Sequence, residues 1–242
     1  MPSGTGSLTP ASLTPDSPWA PVVAALPRWR DQRLLTRGVV VLFGIAGAAA
    51  LVRAVALANR LLVLDDPRAS DFVARARSAD SFVDTTDIAL GVAMLVLAPC
   101  FVVWLWRAAK NQQALGRQPE RLSSGWAIGG WFIPLANFVI PVLVVQDLWR
   151  GSDVAIAAGD PRWRIAERSW LVGWWWGLFL VPLFVASGAD ADRLGQNLSE
   201  ARGSNFLALV AMALLCASTV LGSLVVSRLR TRQEACRAAL AR

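Results

Sequence analysis

The chain has 242 residues, 55% of them hydrophobic, a mean hydropathy of +0.46 and a formal net charge of +7. It is far more apolar than a soluble domain, so the composition points to a bilayer. There is no histidine, and Cys100, Cys216 and Cys236 are scattered, which argues against a metal or haem site, a disulfide framework or any bound cofactor.

Residues 1–32 begin Ser/Thr/Pro-rich ("MPSGTGSLTPASLTPDSP") and read as a disordered arm. Arg28, Arg30, Arg33 and Arg37 lead into a first span over about 36–59, expected to be a retained helix rather than a cleaved leader. Its small residues Gly44, Gly47, Ala48 and Ala50 suit close helix packing, and Arg53 is placed to snorkel to the far interface. Residues 65–87 read as an exposed polar loop, with Ser70 and Asp71 suited to start a short amphipathic helix. A second span over about 86–106 should run on past the surface through Arg107, Lys110, Arg117 and Arg121. Further spans fall at about 170–187 and 206–227, and a basic tail at 231–242 closes a membrane domain over 33–230.

Residues 125–149 are the ambiguous piece: apolar, yet broken by Pro134, Asn137 and Pro141. A continuous helix kinked at its prolines is one reading, a re-entrant or interfacial hairpin the other. With Arg53 set aside, flanking Lys and Arg divide ten inside against thirteen outside if it crosses, and seventeen against six if it turns back. Only the second division obeys the positive-inside rule. It also gathers Trp104 to Trp176 near one face, whereas crossing would split them. The expected fold is therefore all-α and polytopic: four transmembrane helices, a Pro/Trp-rich helical hairpin between spans two and three, and both termini cytoplasmic. The residues singled out in and around the hairpin are Trp104, Arg107, Asn111, Trp126, Trp131, Pro134, Asn137, Pro141, Asp147, Trp149 and Arg150, with Trp174 and Trp175 beyond it.

"WLWRAAKNQQALG", "GWAIGGWFIPLANFVIPVLVVQDLWR" and "WLVGWWWGLFL" together resemble the bacterial membrane family named domain of unknown function 4328, frequent in actinobacteria. The resemblance covers about 40–230 and departs from the family pattern at Ser124 and Val142. It implies a multi-span helical domain and no particular activity.

No phosphate loop, nucleophile elbow or paired metal-ligand motif occurs. Asp147 is expected to form an ion pair with Arg107 or Arg150, Asn137 to satisfy or cap the broken backbone, and the Trp174–Trp176 run to anchor at the interface. The functional expectation is a non-enzymatic, multi-pass cell-membrane protein that scaffolds an assembly or senses the inner leaflet through its hairpin. Its expected partners are anionic lipids and a second copy or another membrane protein, not nucleic acid. A small oligomeric transporter or channel with a solute site at the broken half-helices is the alternative.

Overall fold

The computed structural model describes residues 27–117, 120–191 and 198–240. Regular structure among them is helical: α1 (Arg33–Leu64), α2 (Phe72–Ala114), α3 (Trp126–Gly129), α4 (Ile140–Gly151), α5 (Trp170–Ala191) and α6 (Leu198–Leu240), with 3-10 turns at Ala136–Phe138 and Pro161–Ile165. Of the disordered arm expected over residues 1–32, residues 1–26 lie outside the described residues, and the rest is corrected: Arg30 and Gln32 are held by hydrogen bonds to Asn111 and Gln233. Two compact units result: a first of Arg33–Trp104 with Trp170–Ser227, and a second of the chain up to Gln32, Leu105–Ser169 and Arg228 onward.

Helices α1, α2 and α6 are each long and apolar enough to cross a bilayer. The apolar stretch of α5, Trp170–Val185, is shorter, about 24 Å at 1.5 Å per residue, so among the described residues three such helices stand where four were expected. The polar loop expected over 65–87 is also corrected, because α2 begins at Phe72 and runs unbroken to Ala114. Buried Ala79, Val83, Thr86, Leu90, Ala93 and Leu97 follow an alternating four-and-three spacing straight through the polar-to-apolar transition. Hydropathy changes abruptly at residue 87, but the buried seam runs on.

Within the first unit, α1 carries the same spacing, burying Thr36, Val39, Phe43, Ala46, Ala50, Arg53 and Leu57. A repeat averaging 3.5 residues is the signature of left-handed helix packing. Three polar contacts fix one antiparallel register between α1 and α2: Trp104 Nε1 donates to Thr36 Oγ1 at 3.1 Å, Arg53 pairs with Asp87 at 2.7 Å, and Arg60 pairs with Asp80 at 2.7 Å. Each step forward along α1 is matched by an equal step back along α2. Helix α6 joins through Asn205 Nδ2, which donates to the Leu57 carbonyl at 2.8 Å, and through Arg202, which reaches the Leu64 carbonyl and Asp65.

Small residues admit this packing at fewer places than expected. A Cβ on Gly47 would meet Thr219 Oγ1 at 2.6 Å, and one on Gly222 would meet the Phe43 ring at 2.6 Å, whereas Gly44 and Ala48 face outward. Arg53 does not snorkel. It is 8% exposed and held by Asp87 and the Val83 carbonyl. The tryptophan reading is corrected as well: Trp175 and Trp176 are buried, and Trp174 alone of that run stays 63% exposed. Phe101 explains the difference, since its ring lies 5.6 Å from those of both Trp104 and Trp175 and 5.9 Å from Phe43. An indole inside such a cluster gains ring packing that an interfacial one lacks.

Candidate functional site

Ten of the thirteen singled-out residues fall in the second unit; Trp104, Trp174 and Trp175 belong to the first. The ambiguous stretch is three pieces, not one helix: α3 has four residues, a 3-10 turn follows at Ala136–Phe138, and α4 has twelve. At 1.5 Å per residue α4 is about 18 Å long, short of a hydrocarbon core of about 30 Å. The break centres on Leu135, whose φ of 64° and ψ of −41° form a positive-φ γ-turn closed by Ala136 N–H on the Pro134 carbonyl at 2.8 Å. Such a conformation costs a non-glycine residue on the order of 1–3 kcal/mol.

Pro141 sits in the first turn of α4, where a missing N–H costs nothing. Asn137 does not cap that helix. The N-cap is Val139, without a side-chain hydrogen bond, and Asn137 Oδ1 is buried without a hydrogen-bond partner. Helix α4 buries Pro141, Val144, Val145, Leu148 and Gly151, the i, i+3, i+4, i+7 face of an amphipathic helix.

Buried amides and one guanidinium hold the unit together. Asn111, with no exposure, grips the backbone of Arg30 at both ends, accepting from its N–H and donating to its carbonyl at 2.9 Å each. Gln146 does the same to Ser169 at 2.9 and 2.8 Å. Gln233 Nε2 donates to the Ala108 carbonyl at 3.0 Å, and its Oε1 accepts from Gln32 at 2.9 Å. A carboxamide carries one donor side and one acceptor side, as a peptide group does, so it pairs with backbone as a strand would.

Arg117 is the centre of the second half. Only 2% exposed, it donates from Nε to the Gly151 carbonyl at 2.8 Å, from Nη2 to those of Asp153 and Ile156 at 2.9 and 2.8 Å, and from Nη1 to that of Ala157. Burial draws its pKa below the ordinary arginine value, against Cys236, Asp153 and Asp160, which raise it. Gly116 beside it has φ +71°, and a Cβ there would lie 2.8 Å from that of Ala158. Its carbonyl accepts from Gly159 N–H at 2.8 Å, completing the clamp.

Asp147, 8% exposed, has Oδ1 at 3.7 Å from both Arg121 and Arg150. The expected partner Arg150 is present; Arg121, not Arg107, is the second. These separations exceed a direct hydrogen bond. Burial pushes the carboxyl above its ordinary value, against Arg121, Arg150, Arg168 and Arg164, which lower it. Gln112 Nε2 donates to the Asp147 carbonyl at 2.9 Å. Trp149 lies under the Arg232 guanidinium at 4.8 Å, and Trp29 under that of Arg237 at 5.2 Å. Trp126, Pro134 and, to a lesser extent, Trp131 stay accessible in the broken segment, and Arg107 is half-buried.

Sequence reasoning treats Arg117 and Arg121 as orientation charges, counts Trp163 only among the tryptophans near one face, and gives Gln112, Gln146 and Gln233 no role. An isolated glutamine in an apolar run such as "VVQDLW" is the signal that was available, since a lone amide there needs a backbone partner. Among the described residues no group of three His, Cys, Asp or Glu is placed to hold a metal.

A family model described as Domain of unknown function (DUF4328) matches residues 68–231. No curated protein and no solved structure matches the chain.

Proposed function

The chain belongs to the DUF4328 family, and we propose that it is a non-enzymatic, multi-pass cell-membrane protein in which α1, α2, α5 and α6 span and the stretch Trp126–Gly151 dips into the inner leaflet and returns. In this reading the dipping element is a platform that senses anionic lipid or holds a membrane partner, a second copy included.

The observation that carries it is the turn around Leu135. Phe132 and Leu135 are each 78% exposed, and Ile133 and Val139 add 45% and 52%. Exposed apolar side chains grouped this way mark an interaction or membrane surface. The backbone beneath them is nonetheless largely self-satisfied: the N–H groups of Gly130, Trp131, Phe132, Ala136, Asn137, Phe138 and Val139 all donate within the segment. A broken stretch with those bonds made can enter a low-polarity environment that unpaired backbone cannot. Arg121, Arg162 and Arg168, all exposed in the same unit, supply the positive charge that an anionic leaflet attracts. The division of Lys and Arg, seventeen against six, supports the cytoplasmic side.

The test is a nitroxide placed at Leu135 in the reconstituted chain, read for collision with oxygen and with an aqueous nickel chelate. Higher oxygen than nickel accessibility is expected; a label as nickel-accessible as one at Ser78 would refute insertion. Solute flux through the same proteoliposomes would favour the transporter instead.

A further inference from the structure

Beside Asp147 lies a cavity of about 20 Å³ lined by Gln112, Asp147 and Trp163, with Arg121, Glu120 and Ser123 around it. Three polar atoms of its lining residues have no hydrogen-bond partner in the protein: Asp147 Oδ2, Gln112 Oε1 and Trp163 Nε1. All three side chains belong to residues more than nine-tenths buried, at 8%, 4% and 2% exposure.

Two of these atoms are acceptors and one is a donor. An unpaired buried polar group costs about 1–3 kcal/mol, so three on residues that line one space make a demand that apolar packing cannot meet. A cation fails on chemistry, because it cannot accept from the indole N–H and would sit beside the guanidiniums that flank Asp147. An anion fails against the carboxylates of Asp147 and Glu120. A volume of 10–15 Å³ holds one water, and a stable internal water needs two to four polar partners, so the space suits one oxygen and little more.

We propose that this cavity is a binding site for a single O–H oxygen that donates to Asp147 Oδ2 and Gln112 Oε1 and accepts from Trp163 Nε1. Water satisfies all three atoms at once. The terminal hydroxyl of a lipid headgroup satisfies the indole and one acceptor. The bound oxygen ties α2, through Gln112, to α4, through Asp147, and to the Pro161–Ile165 turn, through Trp163. The site rests on the geometry of the second unit alone and not on the leaflet assignment, so either reading can fail without the other.

X-ray hydroxyl-radical footprinting of the full chain in nanodiscs tests it, because a bound water is activated in place and oxidises side chains that bulk solvent does not reach. Trp163 is expected to be oxidised despite its burial, while Trp104, equally buried but bonded to Thr36, is not. Asp147→Leu should abolish the Trp163 reaction. The source of the oxygen is read from the indole N–H of Trp163 by nuclear Overhauser transfer. A cross-peak to water assigns it to solvent. A cross-peak to headgroup protons, present with a glycerol-headgroup lipid and absent with an equally charged lipid lacking hydroxyls, assigns it to lipid. Trp163 as inert as Trp104, with neither cross-peak, overturns the proposal. That outcome is readable on the native chain even if the variant fails to fold.

Discussion

Arg117→Ala should remove the largest single polar contribution in the second unit. Its guanidinium donates to four carbonyls between Gly151 and Ala157, so truncation takes away four charge-assisted bonds at one stroke. Each such bond contributes about 1.5–3 kcal/mol net, but the emptied volume admits water to some of the carbonyls, and the total settles at about 3–5 kcal/mol. Against a usual folding stability of about 5–15 kcal/mol this is a major fraction. Lysine keeps the charge but brings three donors on one nitrogen, which cannot reach acceptors spread around a planar fork, so Arg117→Lys should recover less than half of the loss. The assay is twofold: thermal unfolding in detergent, and hydrogen exchange of the Gly159 amide, whose bond to the Gly116 carbonyl depends on the clamped loop. A loss below about 1 kcal/mol with Gly159 protection unchanged would refute the reasoning.

Gly116→Ala forces a side chain into a positive-φ position against Ala158 and should cost about 1–2 kcal/mol, read as a lowered melting temperature with faster Gly159 exchange. Asp160 accepts from the N–H and Nε of Arg162, and that side-chain hydrogen bond holds its carboxyl below the ordinary aspartate value; Asp160→Ala should cost about 1 kcal/mol at neutral pH. A depressed folded pKa gives stability that is present above the unfolded value and lost as pH falls through the folded one, so parent and variant melting curves should converge in strong acid. Asp87→Leu strands the buried Arg53 and should destabilise by about 2 kcal/mol, with Asp87→Leu combined with Arg53→Leu recovering most of it in a double-mutant cycle. Single cysteines at Ala155 and Arg237 should resist an impermeant reagent in intact cells while one at Ser78 reacts, and the opposite pattern would reverse the orientation.

The helical character of the first unit was legible because apolar length announces a span, yet the register was hidden. Composition treats Arg53, Asp80 and Asp87 as interruptions, whereas spacing puts Arg53 in the seam that holds Val39, Phe43 and Leu57 and sets Asp80 and Asp87 one step beside the buried Ala79 and Thr86. A charge at a seam position is tolerated when the facing helix offers its opposite at the matching step, and no single-helix measure sees the facing helix. The same blindness explains the tryptophans: ring type predicts an interface, but Phe101 draws Trp104 and Trp175 inward through a contact between α2 and α5 that no local window contains.

The second unit was legible only as trouble, a proline-broken stretch that did not fit a span. What organises it is polar and long-range: Asn111 on Arg30, Gln146 on Ser169, Arg117 on four carbonyls. Each partner is backbone, and backbone has no letter in the sequence. Counting arginines by side of the membrane gave Arg117 and Arg121 the same weight, although one is 2% exposed and clamps a loop while the other is exposed and reaches Asp147 at 3.7 Å. A charge rule therefore yields a proposed orientation for this chain without saying which charges hold it together. In the proposed topology, removing Arg117 should unmake the loop and leave orientation intact, because sixteen flanking cations would still outnumber six.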